Sequence, residues 1–78
     1  MKNFPSQVRA ARGLLNLTQQ DLADISRVSL RTIVQLERGD KQPSPSIAQA
    51  LKLSLEAAGV EFIPENGGGP GVRLVKRN

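Results

Sequence analysis

Hydrophobic positions recur along this chain with two periods, at three- and four-residue intervals as far as Gly59 and at two-residue intervals beyond it. In the first stretch Val8, Ala11 and Leu15 share one helical face, which predicts a helix from Ser6 to near Asn16 with Ser6 or Asn3 as its cap. The segment Leu17-Thr18-Gln19-Gln20-Asp21-Leu22 then carries a complete start signal. Thr18 caps, Asp21 reaches back to close a capping box, and Leu17 staples onto Leu22, so a second helix begins at Gln19. That helix is short, because Ser29 offers another cap and Val28 another staple, onto Ile33. A third helix is predicted from Leu30 to about Arg38, with Gly39 as a left-handed stop. After the loop Asp40-Lys41-Gln42-Pro43, Ser44 caps a fourth helix and Pro45 takes its first position, where a missing N–H leaves nothing unsatisfied. Ile47, Leu51, Leu55 and Ala58 form its apolar stripe, and Gly59 ends it.

Past Gly59, Val60-Glu61-Phe62-Ile63 and Val72-Arg73-Leu74-Val75 alternate as strands do, and the stretch from Pro64 to Gly71 between them reads as a flexible connector. The fold class expected is therefore mostly α, four helices or slightly more, with a short C-terminal strand pair. Two strands alone are marginal in water, so the pair needs a surface. The fourth helix, the same tail in another subunit, or a different protein would each supply one. The organisation expected is a helical domain over 5–59 and a strand tail over 60–78, the tail serving to dimerise or to bind a partner through Val60, Phe62, Val72 and Leu74.

Composition narrows the chemistry. With 78 residues the chain holds one small domain, and a core of that size often leans on a second copy of itself. Cys, His and Trp are absent, which removes thiol nucleophiles, the imidazole base and the soft ligands of zinc and haem. No cofactor and no metal are expected, and the acidic residues Asp21, Asp24, Glu37 and Glu56 stand at capping, pairing or surface positions, so an enzyme is not expected either. The start, Met1-Lys2-Asn3-Phe4-Pro5, lacks the apolar run of a signal peptide, which points to a cytoplasmic location without a membrane partner. The net charge of +4 is unevenly spread: seven Lys/Arg against four Asp/Glu up to Lys41, one against three from Gln42 to Pro70, and three against none from Gly71. A basic first half attracts nucleic acid.

A turn of about four residues between the second and third helices gives a helix-turn-helix arrangement. On the third helix, Leu30, Val34, Arg38, Arg31 and Gln35 fall within an arc of roughly 140° at about 100° per residue, while Ile33 and Leu36 lie on the other side. One side is core; the other is either a solvated face or a reader of base edges. Leu30 and Val34 among the polar residues favour the reader, since a solvated face has little use for them. Arg31 can fork onto guanine O6 and N7, Gln35 can pair with adenine N6 and N7, and Leu30 or Val34 can touch a thymine methyl in the major groove.

The run Thr18-Gln19-Gln20-Asp21-Leu22-Ala23, then Val28-Ser29-Leu30-Arg31-Thr32-Ile33 and Leu36-Glu37-Arg38-Gly39, resembles the phage-repressor and Cro-like (Xre) helix-turn-helix family over residues 5–59. The resemblance implies a lambda-repressor-like fold in which Ala23 permits close helix contact. It implies base readout by Ser29, Leu30, Arg31 and Gln35, and phosphate contacts by Gln19, Arg38 and the Lys41 to Ser44 loop. Thr18 and Ser44, at the starts of the second and fourth helices, join the phosphate set because helix N-termini favour anions. It also implies a partly buried pair of Arg12 with Glu37. The sequence departs from the family at Arg27, where the turn usually carries glycine at a positive φ. The function expected is a sequence-specific transcriptional regulator, a repressor binding two half-sites of double-stranded DNA as a homodimer. An antitoxin that autoregulates its operon while its tail holds a toxin is one alternative, and a protein–protein adaptor without DNA is another.

Overall fold

The structure, a computed structural model, describes residues 3–40 and 42–75. Four helices, α1 (Phe4–Leu15), α2 (Gln19–Ser26), α3 (Leu30–Arg38) and α4 (Pro45–Ala58), precede two strands, β1 (Val60–Ile63) and β2 (Gly71–Leu74). The starts of three helices are written locally. Thr18 and Asp21 close a reciprocal capping box, with Thr18 Oγ1 accepting from the Asp21 N–H at 2.9 Å and Asp21 Oδ2 accepting from the Thr18 N–H at 2.9 Å. Ser29 accepts from the Thr32 N–H and Ser44 from the Ile47 N–H. Gly39 stops α3 in the left-handed region at φ 78°.

Helix α1 begins earlier than its apolar spacing suggests, at Phe4, and no side chain caps it. Pro5 in the first turn has no N–H to satisfy, and the Ser6 hydroxyl accepts from Arg9 Nη2 at 3.1 Å instead. The second strand likewise begins one residue earlier than its alternation suggests, at Gly71, and the pairing runs on past Leu74 in the same register, the Val75 N–H donating to the Gly59 carbonyl at 2.8 Å.

The core gathers Phe4, Val8 and Ala11 from α1, Leu22 and Ala23 from α2, Ile33 and Leu36 from α3, and Ala48, Leu51 and Leu55 from α4. Val28 and Val60 complete it. The strands pair antiparallel in the register Val60 with Leu74 and Phe62 with Val72, which puts all four side chains on one face. That face lies against the chain's own helices. Val60 is 2% exposed, Val72 packs on the core, and the Phe62 ring stacks on Phe4 with centroids 5.9 Å apart. From α1, Gln7 Nε2 donates to the Gly71 carbonyl at 3.0 Å and ties the helix to the hairpin. Of the surfaces open to the strand pair, the chain's own helices supply one: α1 and α4 pack on Val60, Phe62 and Val72, the last two still partly exposed, while Leu74 is 52% exposed.

Candidate nucleic-acid interface

Helices α2 and α3 are joined by Arg27, Val28 and Ser29. Arg27 holds φ 61° and ψ 21° in the left-handed region, the conformation for which glycine is favoured, and its N–H closes α2 on the Ala23 carbonyl at 2.9 Å. The turn is drawn tight by Ser26, whose hydroxyl donates to the Leu22 carbonyl at 2.6 Å and accepts from the Val28 N–H at 3.2 Å. Val28 is thereby folded under the turn into the core.

This anchors α3 with two unlike faces. Ile33, Leu36 and Glu37 are buried; Leu30, Arg31 and Arg38 are exposed; Val34 and Gln35 lie half-buried at the margin. Leu30 is 39% exposed, an apolar side chain held in water at the first turn of the helix. Ser29 is exposed beside it, capping the helix and donating from Oγ to Thr32 Oγ1 at 2.8 Å. Arg38 lies 3.8 Å from Asp40, both well exposed, so the pair leaves the guanidinium able to exchange partners. Thr18 and Ser44 are spent on their caps yet remain at the surface, at the positive ends of α2 and α4. Lys41 lies outside the described residues.

The far end of α3 is locked by polar contacts centred on Glu37. Arg12 approaches its carboxylate side-on with two bonds, Nε to Oε2 and Nη2 to Oε1, each 2.7 Å. Arg12 also donates from Nη1 to the Leu17 carbonyl at 3.0 Å. The hydrogen bonds to Glu37 hold the Arg12 guanidinium above its ordinary range, its charge adds to the shift, and burial opposes both. Gln19 Nε2 donates to Glu37 Oε1 at 3.1 Å, so its amide nitrogen is turned inward. Arg9 donates to the Glu37 backbone carbonyl. Two of these contacts escape a reading of the sequence. Arg9 precedes Arg12 by three residues and so shares its helix face, a signal that was there to be used, whereas nothing local distinguishes Gln19 from Gln20.

A capped α2, a three-residue turn and an α3 fixed by a buried carboxylate at one end and presented to solvent at the other make a helix-turn-helix unit. The helix-turn-helix family model matches residues 8–56, from the first turns of α1 to the last turn of α4. The chain belongs to the Cro/C1-type helix-turn-helix family. Like other members of that Xre-like family it is a DNA-binding transcriptional regulator, and the family is not one of enzymes. The matched segment leaves out the hairpin. A search of curated proteins found no match. No helix among the described residues is long and apolar enough to cross a membrane.

Proposed function

We propose that this helix-turn-helix protein is a sequence-specific repressor that occupies a promoter as a homodimer, each copy laying α3 in the major groove. The observation that carries the reading is the outward side of α3, where exposed Arg31 stands beside exposed Leu30 and half-buried Val34 and Gln35. Arg31 reads guanine, Gln35 reads adenine, and Leu30 or Val34 packs on a thymine methyl, with Ser29 at the helix entrance. Arg38, Lys41 and the starts of α2 and α4 at Thr18 and Ser44 take phosphates and set the register. Gln19 contributes less than its position suggests, since its amide nitrogen is engaged by Glu37. The homodimer rests on the small size of the domain and on exposed Ile25 and Leu53, which line one shallow groove with Ala57. No cofactor is invoked.

The experiment is selection of bound duplexes from random DNA. It should return two half-sites related by two-fold symmetry about 34–36 Å apart, with affinity falling steeply as salt rises. A single unpaired half-site refutes the dimer. Absence of any enriched sequence refutes readout by α3.

A further inference from the structure

A cleft of about 420 Å³ opens between the start of α1, the middle of α4 and the hairpin, and none of its lining residues belongs to α2 or α3. Its size falls in the range of cavities that hold small molecules, about 300–1,000 Å³. Phe62, Pro64 and Pro70 give it an apolar wall. Lys52 and Glu65 also line it, and among the described residues neither takes part in an ion pair, with the other or with any third group. Lys52 is half-buried on α4 and Glu65 is exposed at the rim. The third polar group is Gln7, whose Nε2 donates to the Gly71 carbonyl at 3.0 Å and lies 3.5 Å from that of Ile63. With the nitrogen so held, Oε1 is the acceptor the amide has left.

A cation and an anion that share one cleft without meeting each other specify what complements them. A simple carboxylate would satisfy Lys52 and face Glu65 with like charge, and a simple amine would do the reverse. A molecule carrying an ammonium and a carboxylate on one carbon answers both. We infer that the cleft binds a free α-amino acid with an apolar side chain. Its carboxylate sits on Lys52, its ammonium on Glu65 and the Gln7 oxygen, and its side chain against Phe62 and the two prolines. The site is separate from the DNA-reading helix, and its occupancy does not depend on the repressor reading.

The test is an NMR titration of the full ¹⁵N-labelled chain, without DNA, using L-phenylalanine and L-leucine as probes. Saturable amide shifts are expected at Lys52, Phe62 and Ile63. N-acetyl-L-phenylalanine lacks the ammonium and L-phenylalaninamide lacks the carboxylate, so each should bind at least about tenfold more weakly, the usual loss for one charge-assisted contact. Lys52→Gln and Glu65→Gln should each weaken L-phenylalanine by a similar factor while the spectrum keeps its dispersion, which shows that the fold is intact. No saturable shift with either amino acid overturns the inference. So does equal binding of the blocked and free forms, or an unchanged affinity in either variant.

Discussion

Neutralising Glu37 tests whether the polar lock at the end of α3 behaves as a buried pair. In Glu37→Leu the Arg12 guanidinium loses two bonds of 2.7 Å and the Gln19 amide loses its acceptor at 3.1 Å. Removing one partner of a buried ion pair costs about 3–5 kcal/mol. Arg12 keeps 20% of its side-chain surface in water and its bond to the Leu17 carbonyl, which sets the expectation at the lower end, about 3 kcal/mol. At roughly 0.05–0.15 kcal/mol per residue, a domain of this length holds about 4–12 kcal/mol in all, so the loss is between a quarter and three quarters of it. At about 4–8 °C per kcal/mol, the melting midpoint should fall by about 12–24 °C. Urea unfolding followed by circular dichroism at fixed protein concentration reads the change, with an unaltered m-value as the control on the denatured state. The decisive comparison is the double variant Arg12→Met with Glu37→Leu. With both charges gone no charge is left unpaired, and although the Gln19 amide and the Leu17 carbonyl each lose a partner, both residues are half-exposed, so much of the stability should return, to within about 1–2 kcal/mol of the parent. A single-variant cost under about 1 kcal/mol, or a double variant no better than the single, refutes the reasoning, since either is what a solvated surface pair would give.

Arg31→Ala should cost about 1–3 kcal/mol on the selected site and relax selectivity at one base, which a titration against specific and random duplexes separates from a uniform loss. Arg27→Gly should leave stability unchanged or raise it by up to about 1 kcal/mol, because the relief of a left-handed arginine is set against the greater unfolded-state entropy of glycine; a clear loss in denaturant melts would mean that Arg27 makes contacts its backbone does not reveal. Ending the chain after Gly59 strips Val60 from the core and Phe62 from Phe4, at about 1.5–3 kcal/mol for each apolar side chain, so cooperative unfolding should weaken or vanish. A truncated chain that melts as before but sediments as monomer would instead make the hairpin an assembly element. Glu61 accepts from Arg73 at 2.9 Å across the strands, and that bond, helped by the arginine charge, lowers the Glu61 pKa. Its stabilising contribution is therefore present above the ordinary glutamate range and lost as pH falls through the lowered value; an NMR pH titration should show the Glu61 carboxyl moving upward in Arg73→Gln.

What could be read in the sequence was what the sequence settles locally. The capping box of Thr18 and Asp21 spans four residues, and the caps at Ser29 and Ser44 lie within one helical turn of the N–H groups they satisfy, so residue type and spacing suffice. The same holds for the outward and inward sides of α3, which follow from helical geometry alone. Two failures are of longer range. Alternation marked Val60, Phe62 and Val72 as one apolar face but carried no information about what covers it, because Phe4 and Phe62 lie at opposite ends of the helical segment and their contact depends on how all of it packs. Gln19 was legible as the first residue of α2 but not as a partner of Glu37, since that bond depends on how α2 and α3 pack. The absent cap on α1 shows a different limit. Asn3 stands at the cap position with φ −105° and ψ 8°, outside the extended conformation a capping side chain uses, and Ser6 falls inside the helix with its hydroxyl on Arg9.

The bond from Gln7 to Gly71 and the stack of Phe4 on Phe62 close the first element of the chain against the last. During synthesis this imposes an order. Helix α1 emerges before the hairpin with Phe4 bare of its partner, and Phe62 is made only after nearly the whole intervening chain, about 3–12 seconds later at about 5–20 residues per second. Through that interval the nascent protein presents an uncovered apolar surface while its reading helix is already complete in sequence. Contacts of such wide separation also form late in refolding, so the rate at which this domain reaches its native state should be governed by docking of the hairpin rather than by formation of the helices.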